Sequence, residues 1–257
     1  MKLAAQLPSE CAGASPRIRA DAFARDASTI RGVTETARAL PPSTQAFERE
    51  ERFNAGTHAV GLALAIIGAV TLLKTAVRHG GPWQVLGCAV YSATLTAAYL
   101  ASTLSHLFHN RRARGAFRIA DQALIFLFIA GSFLPVALTW LRSPWWWVFH
   151  VAMWCIALAG FVSKALFAHR VEMGAVSAVL YLVLGWSPVI VAKPLIAACP
   201  LPLLGWLLAG GVCYTAGLLF FRYDSRVPYF HAAWHVCVIA GSACHYTGIL
   251  HYCAAMP

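Results

Sequence analysis

From Phe53 to the end, the chain is a succession of apolar runs, each about as long as a bilayer is thick. A helix rises about 1.5 Å per residue, so roughly 20 apolar residues cross a hydrocarbon layer of ~30 Å. Seven such runs are legible, near 54–77, 83–108, 116–140, 145–168, 173–192, 202–222 and 228–254. Breakers or charge separate them, among them Gly80-Gly81-Pro82, Arg111-Arg112-Ala113-Arg114, Arg142-Ser143-Pro144 and Lys193-Pro194. None has the alternation of period two that a barrel strand requires, so the chain is expected to be all-α, an integral membrane bundle of seven transmembrane helices. Residues 1–50, rich in charge and proline, are expected to be a flexible cytoplasmic tail ahead of a membrane domain over 51–257. The tail lacks the apolar core of a cleaved signal, and Arg17 to Leu40 has at best a poor amphipathic helix.

Composition agrees. Hydrophobic residues make up 59% and charged residues 12% of the 257, against roughly 25% charged in soluble domains. The net charge of +10 then belongs to loops facing an anionic leaflet, and a nucleic-acid partner is not expected. Lys and Arg counted on alternate sides fix the direction. With the N-terminus in the cytoplasm, ten fall inside (Arg49, Arg52, Arg111, Arg112, Arg114, Arg118, Lys164, Arg170, Arg222, Arg226) and four outside (Lys74, Arg78, Arg142, Lys193). The C-terminus is therefore expected outside, and Trp83, Trp140, Trp145, Trp146, Trp147 and Trp206 form a one-sided aromatic belt there. The eight cysteines show no C-x-x-C pair and read as small packing residues.

Only Asp121, Glu172 and Asp224 are acidic beyond Phe53, which makes polar residues inside the runs conspicuous. With the direction fixed, Asn54, Thr57 and His58 of the first run, Ser102 and His106 of the second, Asp121 of the third, and His231 and His235 of the seventh share the inner-leaflet depth. Imidazoles and carboxylates at that depth are expensive unless they meet one another or a cavity. At 100° per residue, His231, His235, Ser242 and His245 occupy an arc of about 80°. Two histidines four apart reach one metal ion; the plainer alternative is a pair of interfacial rings bonded to carbonyls or water. Joined by His106 they make a His₃ set with one tetrahedral position open, the arrangement of a catalytic Zn2+. Asp121 and Ser102 could then orient a water or hold a substrate carbonyl, and zinc lowers the pKa of bound water to about 7.

The motifs Glu51-Arg-Phe-Asn54-Ala-Gly-Thr57-His58, Tyr99-Leu-Ala-Ser102-Thr-Leu-Ser-His106, Arg118-Ile-Ala-Asp121 and His231-Ala-Ala-Trp234-His235 resemble the hemolysin III family. That family sits within the superfamily of progestin and adipoQ receptors and alkaline ceramidases. The resemblance covers roughly residues 48–252. It implies that His106, His231 and His235 are zinc ligands, with Ser102 and Asp121 as catalytic residues beside them. It also implies a multi-pass protein of the bacterial inner membrane and a hydrolase acting on membrane lipid amides, so the expected partners are lipids. A pore-forming hemolysin without turnover, and a lipid-sensing receptor with structural zinc, stay open as alternatives. Bis-histidine haem is disfavoured, because two histidines on one helix suit one metal better than opposed axial positions.

Overall fold

Proline and glycine set the ends of the helices much where the sequence puts its breakers. The structure, a computed structural model, describes residues 44–168 and 173–255. The expected tail up to residue 43, the segment Arg17 to Leu40, Arg170 and Glu172 lie outside the described residues. Those described are helical, with no strand among them: α1 Thr44–His79, α2 Pro82–Leu107, α3 Arg111–Trp140, α4 Pro144–Phe167, α5 Met173–Trp186, α6 Ala192–Ala198, α7 Leu201–Tyr223 and α8 Phe230–Ile249. A 3₁₀ turn over Ser187–Val191 joins α5 to α6, and a single π turn, Leu250–Ala254, follows α8.

Pro82 and Pro144 occupy the first turns of α2 and α4, where a missing N–H costs nothing. Asn110 caps α3, its side chain accepting from Arg112 N at 2.9 Å and Ala113 N at 3.5 Å. Pro188 cannot donate to the turn before it, and the fifth run breaks there into the 3₁₀ turn. Helix α1 starts at Thr44, so residues 44–50, assigned from the sequence to the tail, are its first two turns.

Among the described residues six segments are long and apolar enough to cross a membrane: Gln45–His79, Pro82–Leu107, Arg111–Trp140, Pro144–Phe167, Val176–Ala198 and Leu201–Tyr223. The expected seventh, α8, is 20 residues long but carries His231, His235 and His245, and its composition leaves it outside that set. Tyr91, Phe126, Leu72, Leu203 and Ile249 form the fully buried centre, whereas Ile67, Val77, Val151 and Leu219 point outward, as lipid-facing side chains do.

Close helix approach depends on glycine at particular places. A Cβ on Gly87 would stand 2.8 Å from Pro135 Cα, and one on Gly241 2.8 Å from the Tyr214 ring. Gly61, Gly68 and Gly131 lie likewise against Tyr99, Tyr246 and Thr94. Gly56 does not: nothing lies within 4 Å of its Cβ position, because α1 has no neighbour on that face. One end of the bundle is tied by Trp140 Nε1 donating to Tyr252 O at 3.0 Å. The other gathers the start of α1, the end of α2, the start of α3, and the turn from α7 into α8.

Candidate metal centre

That turn carries the described chain's only positive φ outside glycine, 63° at Tyr229, a conformation costing of order 1–3 kcal/mol for such a residue. Three contacts from α1 hold it. Tyr229 N donates to Glu50 Oε1 at 2.7 Å, its hydroxyl accepts from Arg49 Nε at 2.9 Å, and its ring meets Phe53 edge-on at 5.5 Å. Helix α8 is thereby aimed so that its first turn faces the end of α2.

There the ring centroids of His231 and His235 lie 4.5 Å apart, and that of His106 lies 5.1 and 5.2 Å from them. One ring nitrogen from each falls within 4.8 Å of the other two. Modest side-chain rotation closes such a set onto a sphere of Zn–N bonds of about 2.0–2.1 Å.

Each ring is also held from outside. His106 Nδ1 meets Glu51 Oε2 at 3.1 Å, and His231 Nδ1 meets Asp224 Oδ2 at 2.8 Å. His235 Nδ1 lies 3.1 Å from Thr57 Oγ1, whose own proton goes to the Asn54 or Phe53 carbonyl at 2.9 and 3.1 Å. A hydroxyl that donates elsewhere accepts, and so do carboxylates, so all three contacts suit hydrogen on Nδ1. In a neutral ring that leaves the Nε2 lone pair for a metal. This is the tautomer of a metal-ligating imidazole with a carboxylate or hydroxyl behind it. Glu51 is itself fixed by Arg114 at 3.4 Å and Arg118 at 3.6 Å, which balances a half-buried carboxylate and joins α1, α2 and α3.

The sequence-derived residues come together. Ser102, one turn before His106 and 2% exposed, and Asp121 both line a cavity of about 830 Å³ together with His106 and His231. From this polar end the wall continues through Leu95, Phe128, Met153 and Leu207. His58 is buried with its ring centroid 3.7 Å from that of His235, and neither of its nitrogens has a protein partner. His245 stands apart, bonded to the Leu207 carbonyl at 3.1 Å. Sequence reasoning gave no role to Asp224, quoted Glu51 only as a motif letter, and placed Thr57 at the shared depth without a partner. The signal was there in part, since Asp224 is one of three acids past Phe53 and lies seven residues ahead of His231.

The comparisons with known proteins point the same way. A family model described as "Haemolysin-III related" matches residues 47–246. Hemolysin-3 of Bacillus cereus is 34% identical over 206 residues, covering 80% of this chain and 93% of the relative. A hemolysin-3 homolog of Bacillus subtilis is 32% identical over 209 residues, 81% of this chain and 97% of the other. The human monocyte to macrophage differentiation factor is 28% identical over 217 residues, 81% and 86% of the two chains. No solved structure matches.

Proposed function

The chain belongs to the haemolysin-III related family, and from that premise we propose that this multi-pass membrane protein is a zinc-dependent hydrolase of membrane lipid amides. In this reading seven helices cross the bacterial inner membrane, the N-terminus is cytoplasmic, and the site opens near the cytoplasmic leaflet. The supporting observation is the outward occupation of Nδ1 on all three histidines, by Glu51, Asp224 and Thr57. A histidine cluster that only filled space would have no need of three matched acceptors on its far side.

His106, His231 and His235 would hold the metal. A zinc ion held there would lower the pKa of a water to about 7 and polarise a carbonyl. The remaining work falls to the chain. Asp121, on the cavity wall, takes the proton of the attacking water and returns it to the leaving amine. Ser102, on the same wall, keeps that carboxylate turned toward the reacting atoms. The apolar wall from Leu95 to Leu207 receives the acyl chain and keeps bulk water out.

The test is metal analysis of the purified protein together with release of fatty acid from an N-acyl lipid. One zinc per chain, lost in His235→Ala, and fatty-acid release abolished in His106→Ala and Asp121→Asn are expected. Zinc without any turnover would reduce the site to a fastening between helices, as in a receptor. Liposome leakage equal in wild type and histidine variants would leave a pore-forming hemolysin.

A further inference from the structure

Lys164 lies one turn from the end of α4, where a lysine ordinarily runs its stem along the helix and its amine out to the membrane surface. It does the opposite. The residue is 3% exposed and lies on the wall of the cavity shared with the histidines. Among the described residues no carboxylate pairs with it; the ion pairs belong to Arg52, His106, Arg114, Arg118 and His231. A cation turned into a membrane cavity marks a ligand path.

Its level in the bundle follows from its neighbours. Gly160, one turn earlier on the same face of α4, sits directly over the Phe126 ring, and Phe126 packs on Tyr181 with centroids 4.6 Å apart. The Tyr181 hydroxyl donates to the Gln122 carbonyl at 2.6 Å, next to Asp121. Phe126 lies five residues, ~7.5 Å, past Asp121 on α3, and Lys164 lies four residues, ~6 Å, past Gly160 on α4, which runs the other way, so Lys164 comes close to the level of Asp121, near the end of the bundle where α4 finishes. Ser177, one turn before Tyr181 on α5 and also on the cavity wall, is displaced in the same direction. Arg118 is the other Lys or Arg side chain on the wall, and Glu51 already faces it at 3.6 Å.

We propose that Lys164 is the anion-binding residue of the cavity, taking the carboxylate or phosphate of a lipid ligand whose chain lies along the apolar wall. The proposal rests on the cavity being the ligand site of the proposed function, but needs no metal. Its test therefore uses full-length protein stripped with chelator in an uncharged detergent, so that failure of the zinc reading leaves the outcome unaffected.

The probes are a brominated long-chain fatty acid, the phosphate monoester of the same chain, and its uncharged methyl ester. Each is read by quenching of Trp186 and Trp234, which line the cavity. At least one anion is expected to bind about tenfold or more tighter than the ester, a buried charge-assisted contact being worth that much. Whichever anion gains more identifies the source, carboxylate or phosphate. Lys164→Gln should erase the preference with ester binding intact, and Lys164→Arg should keep it. Equal binding of all three probes by the wild type overturns the proposal. So does a preference that survives Lys164→Gln and disappears in Arg118→Gln. Native mass spectrometry of the wild type gives a reading free of any folding defect in a variant. Retained anionic lipid agrees, and retention of uncharged lipid alone overturns it.

Discussion

The Glu51 carboxylate lies 3.1 Å from Nδ1 of His106, bridging the charged opening of α1 and the end of α2 behind the metal centre. Since Arg114 and Arg118 grip the same carboxylate, its oxygens are not free to rotate away. Glu51→Gln keeps an acceptor for His106 but loses both guanidinium contacts and the charge. Zinc affinity, read by competition with a coloured chelator, is expected to fall by about 10–100-fold, the range for partners that stand behind metal ligands.

Asp224→Asn tests the same logic on another helix. It leaves the shape of the turn intact and removes the charge behind His231, so zinc affinity should again fall by about tenfold or more. An exposed acid such as Glu48, 3.5 Å from Arg52 at the surface, should give no change when replaced by Gln. Equal losses in the two variants would mean that net charge, and not orientation of His231, sets the affinity.

Metal and stability are linked. Zinc at a hundred times its dissociation constant should stabilise the folded protein by about 2.7 kcal/mol. Chelation should therefore lower Tm in the wild type, while His235→Ala should melt at one temperature with or without chelator. Asp121→Asn, which removes no ligand, should retain the zinc-dependent shift in Tm. In the same variant turnover should fall by about 10²–10⁴-fold, the usual worth of a general acid or base.

Two glycine substitutions should behave oppositely. Gly87→Ala drives a methyl to 2.8 Å from the Pro135 backbone, which cannot step aside, and should cost about 1–3 kcal/mol as overpacking. Gly56→Ala meets nothing within 4 Å and should be neutral or stabilise by up to ~1 kcal/mol through helix propensity. Thermal unfolding in detergent separates them.

The sequence alone carried His106, Ser102, Asp121, His231 and His235 to one depth, because helix rise and phase are local quantities that survive without tertiary knowledge. What stood behind them was not legible by those means. Asp224 reaches His231 only because the chain reverses through Tyr229 in a left-handed conformation, and no propensity favours tyrosine there. Glu51 stood just ahead of the first apolar run and had only a place in a motif, since a search for apolar runs stops where charge begins; the helix does not stop there and continues back to Thr44. The bend in the fifth run was legible at Pro188, a residue whose effect is local. The role of Lys164 was not, because charge counting assigns a side to a lysine but not a direction to its amine.

The helix that supplies two of the three histidines is also the one whose composition falls short of the other six. In the seven-span arrangement proposed above, such a segment gains little from lipid when it leaves the translocation machinery, since each imidazole opposes partitioning. Its hold in the bilayer comes from companions already there: Tyr99 and Tyr214 on Ser242 at 3.0 Å each, and Thr57 on His235. Completion of the metal centre and the docking of α8 are then one event. A chain that stalls before α8 docks is both unfinished in topology and incapable of chemistry, so quality control that removes the first also removes the second.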